Sequence, residues 1–341
     1  MKAKIVACLS ILFSLSLVHS NEDVICSKIQ GAFNVCKLNS VLIHVNETIT
    51  EAGLQITDSS LTEIAAHAFQ DLTIAELKLD LKGSHLEIQP SSFEGLQRVD
   101  TLVISSAILS LEPDLFKALP LLNSLSITSC KIAELKGAFS GLSKLESLYI
   151  NYNNLSSVDV DTFHGARDSV LYLWLNNNEI SGIDPRSFSP FSKLRRLQLS
   201  HNQLTAIKPE TFHGLDQLNE LFLGHNRLSV IEKNVFNSLK QLTRLDLSHN
   251  QISSIEDGAF ASLSLTFLNL RDNRLRVITG GIFSAASVSE LNLSNNDVRI
   301  VEAGAFRDSR VEIVFFKGNR APMNRSIWGL PESSDVRTDD G

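Results

Sequence analysis

Residues Leu194 to Gln217, LRRLQLSHNQLTAIKPETFHGLDQ, run directly into LNELFLGHNRLSVIEKNVFNSLKQ, which sets leucine, asparagine and phenylalanine at the same places. Aligned on its opening residue, the pattern L-x-x-L-x-L-x-x-N-x-L restarts at Leu145, Val170, Leu194, Leu218, Leu242, Leu265, Val288 and Val311, in steps of 23 to 25 residues. Looser copies begin near Glu51, Ile74, Val99 and Leu122. A unit this short cannot bury its own apolar face, so its copies must stack on one another. A chain of 341 residues is long enough for two globular domains, but the unbroken period from about residue 51 to 321 favours one solenoid.

Within L-x-x-L-x-L the last two leucines alternate with polar residues, the period of two that a strand shows when one face enters a core. The asparagine that follows ends the strand and offers a side-chain amide to backbone groups at a buried bend. Eight units keep it, at Asn153, Asn178, Asn202, Asn226, Asn250, Asn273, Asn296 and Asn319, while the looser units read Ser59, Lys82, Ala107 and Cys130 there. Phenylalanines recur at nearly the same interval from Phe69 to Phe306 and are expected to stack as an inner spine.

This phrasing resembles the leucine-rich-repeat family in its animal extracellular variety, in which units close on a phrase such as A-F-x-x-L, here Ala259 to Leu263. The resemblance implies an α/β-type leucine-rich-repeat solenoid of about twelve units, with one parallel concave β-sheet and mostly loop or short 3-10 turns on the convex side. It also implies a disulfide-closed cap over residues 21–50, made by pairing Cys26 with Cys36, and a buried, unreactive Cys130. Many extracellular relatives close the other end with cysteines, and this chain has none after Cys130. Over residues 322–341 we therefore expect Ile327, Trp328 and Leu330 to fold onto the last unit as a partial cap, with disorder after Pro331. Failing that, a bare C-terminal end would offer a route to homo-oligomers.

The opening MKAKIVACLSILFSLSLVHS has Lys2 and Lys4, an apolar run and small residues suited to cleavage after Ser20, the features of a secretory signal peptide. Its removal takes Cys8 and lowers the formal net charge from −7 to −9. A secreted, acidic chain disfavours nucleic acid as a partner. No second apolar run reaches the roughly 18 residues of a membrane span. Sequons at Asn46, Asn154, Asn292 and Asn324 mark candidate glycosylation sites.

Function is then sought at the residues between the strand leucines, which face outward from the sheet. At the x of L-x-L stand Tyr149, Trp174, Gln198, Phe222, Asp246, Asn269 and Asn292 in successive units, and two residues earlier Tyr172, Arg196, Glu220, Arg244 and Phe267. We single out Tyr149, Tyr152, Tyr172, Trp174, Arg196, Phe222 and Phe267 as a binding surface, because exposed aromatics and arginine carry much of the energy of protein recognition. Aromatics also suit strands for their own sake, which is the plainer explanation of the same residues. A glycan on Asn292 would mask the later units and leave the middle ones open.

His201, His225 and His249 recur on adjacent units, a spacing open to a shared metal or, more readily, to a pH-sensitive patch. Arg196, Glu220 and Arg244 alternate in sign as cross-strand ion pairs do. No nucleophile elbow, phosphate-cradling glycine loop or H-E-x-x-H helix is present, and no cofactor is implied. The sequence thus reads as a secreted, non-enzymatic protein that binds an extracellular protein or glycan on its concave face. The resemblance leaves two other roles open: a non-catalytic accessory subunit of a secreted enzyme, like the one that accompanies a luciferin-oxidising enzyme, and a structural matrix protein.

Overall fold

The computed structural model describes residues 24–338 except 50, 71, 136, 167, 168 and 262. The proposed signal segment and Cys8 lie outside them. A parallel sheet of thirteen strands runs in chain order from Gly53–Thr57 through Glu76–Asp80 to Arg310–Phe315 and Asp335–Arg337. At about 4.8 Å per strand it is on the order of 60 Å long. The alternation read from the sequence is realised strand by strand: Leu148, Leu173, Leu197, Leu221, Leu245, Leu268 and Leu291 are buried, while their neighbours on either side are only partly covered or exposed.

The opposite side of the coil has little regular structure. Two-residue strands pair there in parallel, Val277–Ile278 with Ile300–Val301 for example, and Pro90–Phe93 forms a 3-10 turn. Beneath it Phe212, Phe236, Phe260, Phe283 and Phe306 stack with centroids 5.3 to 6.2 Å apart and rings within 13° of parallel. The step from Leu145 to Val170, at 25 residues one longer than the next, departs from this. Phe163 and Phe188 tilt by 31°, and Phe191 fills the gap edge-on at 5.0 Å from Phe163.

The asparagines form the expected ladder. Asn226 accepts a hydrogen bond from Leu204 N in the preceding unit and donates to Leu199 O and Leu223 O, each at 3.0 Å. Asn178, Asn202, Asn250, Asn273 and Asn296 repeat the pattern. Cys130 takes the same place with sulfur chemistry: its thiol donates to Thr128 O at 3.2 Å, and burial pushes its pKa up to about 11.

A further regularity accompanies the ladder. The residue just before each asparagine adopts the left-handed conformation, from Tyr152 (φ 58°) through Asn177, His201, His225 and His249 to Asp272 and Asn295 (φ 56°). Short polar side chains tolerate that conformation best, which gives the recurring histidines a backbone reason.

Both ends are covered. At the first, Val24–Ile29 and Phe33–Leu38 form an antiparallel hairpin in which Cys26 faces Cys36 and is joined to it by a disulfide. Val41–Glu47 adds a third strand and continues in parallel to Glu63–Ile64, so the cap extends the short-strand side of the coil rather than the concave sheet. Its Phe33, Val35, Leu42 and Val45 close the core.

At the other end Trp328 and Leu330 are buried, with Trp328 centred 5.1 Å from Phe316. Ile327, expected beside them, is 55% exposed. The helix Arg325–Trp328 is a single turn, so consecutive side chains diverge and only one of the pair reaches the core. Disorder past Pro331 does not hold for residues 332–338. Asp335–Arg337 pairs with Arg310–Phe315, and Ser334 donates to Val311 O at 2.6 Å, because the last repeat would otherwise leave an edge of unpaired backbone groups. The apolar end that a C-terminal oligomer contact would use is thereby occupied by the chain itself.

Candidate functional site

The strands align the outward residues into two columns. One passes through Ser126, Tyr149, Trp174, Gln198, Phe222, Asp246, Asn269, Asn292 and Phe315, and the other through Ser147, Tyr172, Arg196, Glu220, Arg244, Phe267 and Glu290. In-register parallel pairing puts neighbours in a column one strand spacing apart, so side chains separated by a whole repeat in sequence touch in space.

Tyr149 and Trp174 stack at 4.1 Å and 13°, and Tyr172 leans on Trp174 at 5.8 Å. Arg196 reaches over Phe222 from one side, 5.7 Å from its centroid, and Arg244 from the other at 6.0 Å. Arg244 also lies 4.8 Å from the Phe267 ring, a cation–π arrangement that orders both groups. Glu220 lies 2.5 Å from Arg196 Nη2, near in distance but not aligned as a hydrogen bond, and Arg196 Nε is buried without a hydrogen-bond partner. Tyr149, Tyr172, Trp174, Arg196, Phe222 and Phe267 are all only partly covered. They form one patch crossing six adjacent strands. Arg244, noted in the sequence only for its charge alternation, is the residue that joins Phe222 to Phe267.

Tyr152 belongs elsewhere. The sequence pattern groups it with the other tyrosines on the sheet face, but it occupies the left-handed turn position before Asn153, beyond the end of Ser147–Tyr149, and is 56% exposed. It shares its column with the histidines. His201, His225 and His249 stack at 4.1 Å with rings within 12° of parallel, and His249 Nε2 lies 3.4 Å from Asp272. Parallel rings present their nitrogens side by side, which does not converge three lone pairs on one metal. Burial holds the His225 pKa below its ordinary value, helped by His201 and His249 and opposed by Asp246 and Asp272.

The sequon asparagines differ in setting. Asn154 is exposed and donates to Glu179 at 2.5 Å, and Asn324 is exposed and accepts from Ile327 N at the start of the terminal helix. Asn46 is partly covered within Val41–Glu47, and Asn292 sits on the concave sheet with its Oδ1 accepting from Ser294 N.

No curated protein matches the sequence. Among solved structures, the chain is similar in fold to a leucine-rich-repeat protein of Leptospira interrogans, with a TM-score of 0.63 at 19% identity over 86% of this chain and 78% of that one. It is also similar to the TLR13 chain in the TLR13–ssRNA13 complex, with a TM-score of 0.63 at 20% identity over 84% of this chain and 52% of the other, and so spans about half of that protein's length. The Leucine rich repeat family matches at residues 104–155, 143–204, 168–228, 192–252 and 216–275. These overlapping segments cover half of the sequence, and with the stacked strands and asparagine ladder they make the chain a member of the leucine-rich-repeat family.

Proposed function

We propose that this is a secreted, non-enzymatic binding protein of the animal extracellular, arthropod-like type, whose residues 1–20 are removed as a signal peptide. It recognises an extracellular protein through the middle of its concave sheet. The observation that carries this reading is the continuous aromatic and arginine patch from Tyr149 to Phe267, whose large rings stand partly uncovered on a rigid sheet. Such groups bury much area at little entropic cost and hold a polar or cationic tip for the partner. The disulfide between Cys26 and Cys36 accords with an oxidising compartment. The acidic balance of the chain disfavours the kind of ligand named with TLR13, a single-stranded RNA. A glycan on Asn292 would leave the Tyr149 to Phe222 region as the open part of the face.

The test is capture from extracellular fluid with the intact protein and with a Tyr149→Ser/Trp174→Ser variant of unchanged circular dichroism. A partner retained by the first and lost by the second is expected. Equal recovery by both would place recognition elsewhere.

A further inference from the structure

A second surface, separate from the concave patch, lies on the flank where the chain leaves the asparagine ladder. The residue after each ladder asparagine and the residue two further on form two lines that run from unit to unit. In five successive units the first line reads Asn154, Glu179, Gln203, Arg227 and Gln251, and the second Ser156, Ser181, Thr205, Ser229 and Ser253. All are exposed or half-covered, so the scaffold asks for nothing particular there. In the last three units the same lines become Arg274, Asp297 and Arg320, and Arg276 and Arg299. Backbone hydrogen bonds hold these in register: Asp297 N donates to Leu275 O, Arg299 N to Arg276 O, and Arg320 N to Val298 O.

Three guanidinium groups converge on one carboxylate. Arg299 Nη2 and Arg320 Nε each lie 2.8 Å from an Asp297 oxygen, and Arg276 Nε lies 3.8 Å away. The arginine side chains are nonetheless 55 to 74% exposed. A single arginine would serve Asp297, and exposed ion pairs contribute little to stability, so fold alone does not explain three. One carboxylate offsets one charge and engages a minority of the N–H donors that three guanidiniums carry. Arg274 adds a fourth, exposed cation alongside. Between Leu265 and Leu330 the chain has nine basic residues against six acidic ones, although the whole chain is at −7.

We propose that this flank binds a sulfated polysaccharide. Sulfate oxygens accept the forked hydrogen bonds that guanidinium donates. The cationic line follows the solenoid axis at about one strand spacing per unit, which suits a linear polymer with regularly placed charge. Val277 and Ile300, register partners directly beside Arg276 and Arg299 and 39% and 55% exposed, offer an aliphatic strip for the C–H face of a sugar ring. A second copy docked symmetrically on the same flank would set arginine against arginine, which disfavours that occupant. The acidic remainder of the surface repels a polyanion and confines it to this region.

The experiment is retention on a size-defined heparin oligosaccharide across a salt series, for the full chain and two triple variants. Arg276→Gln/Arg299→Gln/Arg320→Gln removes the flank charges, and Arg98→Gln/Lys117→Gln/Lys144→Gln removes as many from exposed positions in the first half of the solenoid. The flank variant is expected to bind at least about tenfold more weakly near physiological salt, and the control within about twofold of the parent, with equal thermal midpoints. Equal weakening in both, or no retention of the parent, would overturn the proposal. So would stronger binding to single-stranded RNA or to phosphatidylserine-containing vesicles than to heparin. Concave-face recognition is read separately, by the Tyr149/Trp174 variant, and either site can fail without the other.

Discussion

Replacing Asn226 by alanine tests whether the ladder holds the units together. In the folded chain the Asn226 amide serves chiefly three backbone groups: Leu204 N, which donates to its Oδ1, and the carbonyls of Leu199 and Leu223, which accept from its Nδ2, beside a longer contact of 3.4 Å to Gly224 O. The two carbonyls keep second partners, Asn202 and Asn250 respectively. Each therefore loses one net hydrogen bond, about 0.5–1.5 kcal/mol. Leu204 N loses its side-chain acceptor in a buried bend, a cost of about 1–3 kcal/mol. The sum is roughly 2–6 kcal/mol, concentrated in the units on either side, since each unit touches only its neighbours. At the array's end, Asn319 makes the same bonds while half-covered, so water can replace them, and Asn319→Ala should cost about 1 kcal/mol or less. Urea unfolding followed by circular dichroism gives the totals, and hydrogen exchange by mass spectrometry gives the location. Equal costs for the two variants, or an Asn226→Ala effect below about 0.5 kcal/mol, would refute the account of the ladder as a desolvated hydrogen-bond network.

Cys130 is expected to ignore thiol reagents until the chain unfolds. Its folded pKa of about 11 lies above the ordinary 9.0, so the unfolded chain ionises first. Stability present below pH 9 therefore falls by about 2–3 kcal/mol as pH rises toward 11, a slope that Cys130→Ala should lack and whose persistence there would exclude the thiol as its source. His225 has the opposite sense: its folded pKa lies below the ordinary 6.5, so stability present above that pH is lost as pH falls through it. His225→Asn, which tolerates the left-handed backbone, should flatten the acid limb, and an NMR titration placing His225 at or above 6.5 would contradict this. Trp328→Ala should cost about 3–5 kcal/mol and deprotect Arg310–Phe315 while leaving the units from Leu194 to Asn250 protected. Uniform loss of protection would mean that the cap is not a local element.

Most of the fold was legible because its period fixes both partner and register. Once Leu148 and Leu173 are known to enter the core, Tyr149 and Trp174 must face out side by side, and they do. The positions that misled are those set by backbone geometry or by what lies nearby. Tyr152 carries no mark of a left-handed turn, since tyrosine is not a residue that favours one, and only its place before a ladder asparagine gives it away. The segment Asp335–Arg337 is too short and too poor in apolar residues to read as a strand, and the open edge of Arg310–Phe315 supplies the order that its own composition lacks. The convergence of Arg276, Arg299 and Arg320 on Asp297 was within reach of the aligned units, as a change from serine and threonine to arginine in the last three.

A parallel sheet built from interchangeable units has no natural last member; its terminal strand is a template for more of the same. Here the template is blunted at one extremity by a three-residue strand whose Asp335 and Arg337 pair at 2.7 Å, and at the other by Gln30, whose side-chain oxygen occupies Gln55 N. Short, charged or prematurely satisfied borders resist the edge-to-edge growth that stacked strands otherwise invite. Removing Asp335–Arg337 would therefore do more than loosen one molecule: it would bare the Arg310–Phe315 edge and let two such edges meet.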